Sequence, residues 1–139
     1  MACALFTIET GMRQAEIAVL RREWIDRKVI HIPEGLSKSG RKRDVPLSSA
    51  ALAILASLPP DNPVFGMSAS SIESLWRKAK RRAVVQGLNF HDLKHEAATR
   101  LAKRLEPLAL AKMLDHSDLR MLLSVYYKQD AQSDADRLG

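Results

Sequence analysis

Five short stretches of this chain carry side chains able to hold an anion or move a proton. Arg13 and Glu16 stand three residues apart, just after a glycine, in Thr10-Gly-Met-Arg-Gln-Ala-Glu16. Ser37-Lys-Ser-Gly-Arg-Lys-Arg43 packs four cations into a turn-rich loop. His91-Asp-Leu-Lys-His95 has helical spacing that makes His91, Lys94 and His95 neighbours, because residues three and four apart share a helix face. Leu114-Asp-His-Ser-Asp118 sets His116 where one helical pattern ends and another begins, and Val125-Tyr-Tyr127 places two phenols near the end of the second. Each stretch alone also has an ordinary account: a local ion pair, a solvated turn, a polar helix face, an aromatic anchor. A metal centre would need further ligands at matching spacing, yet beyond the 91–95 box the chain offers only His31, His116 and the lone Cys3. No metal is expected, and what remains is cationic.

The elements that must carry these residues follow from periodicity. Ala2–Thr10 is apolar and opens without a cap, as though the chain began inside an element; Gly11 breaks it. Arg13–Arg22 reads as a short helix. Lys28–Ile32 alternates and is β-branched, and Asp44–Leu47 is a second short strand, so 28–47 reads as a hairpin or small sheet, with Pro46 confining its strand to an edge. Ser48 or Ser49 can cap a helix over Ala50–Leu58, stopped by Pro59-Pro60. An amphipathic helix starts at Ser70-Ser71 and ends near Gly87, and another runs from about His91 to Arg104 with Leu93, Ala97, Ala98 and Leu101 on one face. Pro107 suits the first turn of a helix over Leu108–Leu114, and Asp118 can cap a last one over 119–126. The expected fold is mainly α with a small antiparallel β-sheet, and 128–139 is a flexible or partner-docking tail.

With 139 residues, one domain is the expectation. The 46% hydrophobic and 27% charged residues exclude wholesale disorder. Lys and Arg total 22 against 16 Asp and Glu, a net charge of +6 that favours a polyanionic partner. No apolar run approaches the roughly 18 residues of a membrane span, so no membrane partner is expected. One cysteine excludes an internal disulfide and suits a reducing, intracellular compartment.

The order of the boxes carries more than any one of them. Gly-Met-Arg-x-x-Glu, a basic hairpin with a lysine followed by Val-Pro-Leu, His-Asp-Leu-Lys-His, Leu-x-His-Ser-Asp and a tyrosine ten residues on together resemble the catalytic domain of the tyrosine recombinases, or phage integrases, from about Thr10 to Tyr127. The resemblance implies site-specific cutting and rejoining of double-stranded DNA without cofactor or metal, through a 3′-phosphotyrosine bond, by subunits gathered in a synaptic assembly. It implies that Arg13, His91, Lys94 and His116 surround the scissile phosphate, that Lys38 protonates the leaving 5′-oxygen, and that Tyr126 is the nucleophile, with Glu16 supporting the site by fixing a basic neighbour. Lys42 in the same loop and Tyr127 beside Tyr126 stay open as alternatives. Arg41, Lys42 and Arg43, with Arg77, Lys78 and Arg81 among the helical cations, would contact the DNA backbone, contributing affinity without sequence choice; the alternative for the helical set is a solvated face.

Two positions depart from the family pattern. Lys94 stands where the family has its second arginine; charge is kept, but a directed hydrogen bond is lost, worth about 1.5–3 kcal/mol if it tightens in the transition state. That implies a weakened enzyme. Asp115 stands where the family has glycine before the histidine. The reading is thus a single catalytic domain over 1–139, clipped at its front and lacking the family's N-terminal DNA-clamping domain. Other readings are a non-catalytic DNA-binding remnant of an integrase, a relaxing topoisomerase of the same chemistry, and a helical protein-interaction domain.

Overall fold

The computed structural model describes residues 2–36, 40–82, 90–114 and 131–139. Its elements are α1 (Ala2–Thr10), α2 (Gln14–Val19), a 3₁₀ turn (Arg22–Trp24), β1 (Ile25–Asp26), β2 (Val29–Ile32), β3 (Arg43–Pro46), α3 (Ser49–Ser57), α4 (Ala69–Arg82), α5 (Phe90–Ala102), α6 (Pro107–Met113) and α7 (Ala131–Leu138). The mainly helical reading with one small antiparallel sheet holds.

α1 is the central prop. Cys3, Phe6, Thr7 and Thr10 are all buried, and α1 packs against α5, α3 and α2. The Phe6 ring tilts against Phe65 with centroids 5.2 Å apart; full burial of such a ring stabilises by about 1.5–3 kcal/mol. Thr10 closes the helix by donating its hydroxyl to the Phe6 carbonyl (2.7 Å) and accepting the Met12 N–H (3.2 Å). The next residue must be glycine. Gly11 has φ +70°, and a Cβ there would stand 2.5 Å from Cδ2 of Leu114, itself buried just after α6. The glycine thus permits both the left-handed bend and the close approach of the end of α6.

The sheet has the order β1-β2-β3, antiparallel throughout. Ile30 pairs with Ile25 on one side and Val45 on the other, and Ile32 with Arg43. Ile30, Ile32 and Val45 are buried while His31 and Asp44 face out, where His31 Nδ1 and Asp44 Oδ1 lie 2.7 Å apart. Pro46 sits on the edge strand, where a missing N–H is tolerated. β1 was not foreseen: two residues show no alternation, and its turn places Arg27, not a glycine, at φ 56°.

Ser48 is the cap of α3: its hydroxyl accepts the Ala51 N–H (3.1 Å) and donates to Glu9 on α1 (2.7 Å). α4 buries Ile72 and exposes Arg77, Lys78, Arg81 and Arg82. α5 buries Leu93, Lys94, Ala97, Ala98 and Leu101, the face that meets α1 and α6. α6 begins with Pro107 in its first turn, as expected. Part of the 128–139 tail is helical, in α7. The expected continuation of α4 toward Gly87 and the helix over 119–126 lie outside the described residues. Among the described residues, no helix is long and apolar enough to cross a membrane.

Candidate functional site

Arg13 sits at the N-cap of α2 with extended backbone, φ −75° and ψ 154°. It has no side-chain acceptor to offer the helix, so the cap is supplied from the other direction. Glu16, in the first turn, accepts the Arg13 N–H on Oε1 at 2.8 Å. This is the reciprocal half of a capping box, and it also puts a carboxylate at the positive end of the helix. Gln14 Nε2 donates to the Ala69 carbonyl at 2.6 Å, fixing α2 against the start of α4. The turn that presents Arg13 is therefore held at Gly11, Glu16 and Gln14.

Glu16 has a second role. Its side chain is 3% exposed, and a carboxylate so buried needs a matching charge. Arg43 supplies it: Nη2 donates to Oε1 at 2.9 Å and Nη1 donates to Oε2, a bidentate pair. Its Nε donates to the Met113 carbonyl at 3.0 Å, in the last turn of α6. One carboxylate thereby joins the cap of α2, the start of β3 and the end of α6. The sequence reading had Glu16 fixing a basic neighbour without identifying it; the neighbour is Arg43.

That placement corrects the expectation that Arg43 contacts DNA. Its side chain is 7% exposed, and each of its three nitrogens donates to an acceptor inside the protein. Strand parity is the reason. Arg43 stands opposite Ile32 and two residues before Val45, so it shares their buried face, whereas Asp44 between them points out. Grouping 41–43 as one basic run concealed an alternation that the sequence already contained. Arg41 and Lys42, just outside the strand, are exposed.

Among the other expected site residues, Lys94 is 2% exposed, on the α5 face turned toward α1 and α6. His95 is exposed, one position round the helix. The backbone of His91 lies in the first turn of α5. Lys38, Asp115, His116, Tyr126 and Tyr127 lie outside the described residues. The geometry thus joins Arg13, Glu16 and the end of α6. Leu114 under Gly11 and Met113 under Arg43 hold the residues immediately before Asp115 against the Arg13 turn. Among the described residues, no cluster of three or more His, Cys, Asp or Glu side chains could hold a metal.

Solved structures share this architecture. The integrase of transposon Tn1549 in complex with a circular intermediate DNA superposes with a TM-score of 0.76 at 17% identity, covering 98% of this chain and 57% of that one. The catalytic domain of bacteriophage HP1 integrase superposes at 0.72 with 21% identity, covering 97% and 79%. The fold is that of a tyrosine recombinase catalytic domain. A shufflon-specific DNA recombinase of Escherichia coli is 40% identical over 121 residues, 83% of this chain and 31% of that protein. Residues 1–133 match the Phage integrase family, and the chain belongs to it. It spans less than half the length of the curated relatives it matches, 46% of one and 31% of another.

Proposed function

We propose that this chain carries the strand-cutting and strand-joining chemistry of a site-specific DNA recombinase. The Tyr126 hydroxyl attacks the scissile phosphorus, a Tyr–O–P bond forms, and the bond from phosphorus to the 5′-oxygen breaks. Lys38 gives its proton to that oxygen, leaving a free 5′-hydroxyl. In rejoining, a 5′-hydroxyl of the partner strand attacks the phosphotyrosine and Tyr126 departs with a proton. Arg13, Lys94, His91 and His116 surround the phosphate as charge builds on its oxygens, which is where preorganised donors act most strongly. No metal or cofactor enters the scheme. Double-stranded DNA is the substrate and further recombinase subunits are the partners, in the cytoplasm.

The observation that supports this reading is the shared anchorage of Arg13 and the end of α6 on Glu16. Two chain segments about a hundred residues apart, one carrying Arg13 and the other preceding His116 in the sequence, are drawn together by this buried network. Arg41, Lys42, Arg77, Lys78 and Arg81, all exposed, supply backbone contacts around it.

Nicked suicide duplexes tiled across the DNA flanking the protein's own gene test the reading. A covalent adduct that survives detergent and disappears in Tyr126→Phe is expected. Salt-dependent binding without any adduct would favour the non-catalytic remnant, a reading to which Lys94 at the second-arginine position lends weight.

A further inference from the structure

We propose that Arg43 is a positioning residue of the strand-cutting site, setting the distance between Arg13 and the end of α6 through a single bidentate contact. The inference rests on the recombinase reading above. Arg43 is the only described side chain that hydrogen-bonds both to Glu16 and to the last turn of α6. Glu16 in turn holds the backbone N–H of Arg13. The path from the arginine cap to the carbonyl three residues before His116 therefore runs through one carboxylate and one guanidinium, both almost wholly buried.

The geometry is specific to arginine. The planar fork satisfies both Glu16 oxygens while Nε, on the same rigid plane, reaches the Met113 carbonyl. A lysine at 43 would keep the charge beside Glu16 but could not hold three acceptors in one plane. Among the described residues, the α6 end would then rest on apolar packing, chiefly Leu114 over Gly11. Because Arg43 is buried on the inner face of β3, its effect on DNA is indirect: affinity should be untouched while the chemical step suffers. A misplacement of about 1 Å in a phosphate site slows a reaction roughly a hundredfold.

The test compares wild type, Arg43→Lys, Glu16→Gln and the double variant, each checked for native circular dichroism and assayed well below its unfolding midpoint. The substrate is the suicide duplex at saturating concentration. Arg43→Lys is expected to bind DNA within twofold of wild type, with the same salt slope, and to cleave 10- to 100-fold more slowly. The double variant should be no slower than the worse single variant, since both break one link. A weakened Kd with an unchanged cleavage rate would return Arg43 to the DNA-contact set and overturn the proposal, and so would two losses that simply multiply.

Amide hydrogen exchange on the DNA-free protein supplies a readout that needs no activity. Arg43→Lys should speed exchange at the Arg13 amide and at the Leu114 amide, which donates to the Leu110 carbonyl at the end of α6, together, leaving the α3 amides alone. Exchange unchanged at both places overturns the positioning role even if wild type yields no adduct. If wild type cleaves in a Tyr126-dependent way but Arg43→Lys matches it, the proposal fails while the recombinase reading stands.

Discussion

At the residue scale the chain turns on a lysine and a glycine. Lys94 occupies the place where the resemblance expects an arginine, and the structure buries it on the inner face of α5. An arginine there would offer a second directed hydrogen bond to a phosphate oxygen, so Lys94→Arg should raise the first-order cleavage rate by roughly ten- to a hundredfold. An unchanged rate on a cleavable duplex would contradict that role. Gly11 is constrained both by its positive φ and by Leu114. Gly11→Ala should therefore destabilise the fold by at least about 1–2 kcal/mol, the strain of the left-handed backbone alone, read as a lowered urea midpoint. Cys3 gives a pH-dependent readout. Burial pushes its thiol above the ordinary value near 9.0. Below that value both folded and unfolded chains carry the neutral thiol; as pH rises above it, the unfolded chain ionises first, so Cys3 makes stability fall on the alkaline side. Iodoacetamide at pH 8 should spare Cys3 in the folded protein and label it in denaturant; rapid labelling of the folded protein would contradict its burial.

At the element scale, much of the layout was legible in the sequence because local chemistry and tertiary packing agree. The sequence allows Ser48 or Ser49 as a cap, and Ser48 takes that place; Ser48→Ala should cost about 1 kcal/mol in urea unfolding, with the lost contact to Glu9 adding to the lost cap. Pro46 reads as an edge residue and lies on one. β1 was not legible, since two residues carry no pattern and only pairing with β2 defines the strand. Arg43 was misassigned for a different reason. A cation in a basic run reads as exposed, although the alternation from Arg43 to Val45 places it inside, and its partner lies 27 residues away on α2. No local pattern reveals such a pair. The exposed cations of α4 yield an element-scale prediction: Arg77→Ala with Arg81→Ala should reduce the salt slope of DNA binding by nearly 2, at about 0.9 per lost phosphate contact. An unchanged slope would assign that face to solvent.

At the scale of the whole molecule, the charge of +6 falls into two parts with different roles. One is spread over exposed residues of α4 and the hairpin loop. The other is folded inward, with Arg43 paired to Glu16 and the Lys94 side chain buried on α5. On the recombinase reading, the second set ties catalysis to packing: a change at Gly11, Glu16 or Arg43 should slow strand cutting without weakening DNA binding. The central claim concerns a single bond, between DNA and Tyr126. Trapping the adduct on a suicide duplex, digesting it with trypsin and sequencing the DNA-linked peptide by mass spectrometry tests it most directly. The account predicts a 3′-phosphotyrosine at residue 126. A linkage at Tyr127, at any other side chain, or an adduct that persists in Tyr126→Phe would contradict it.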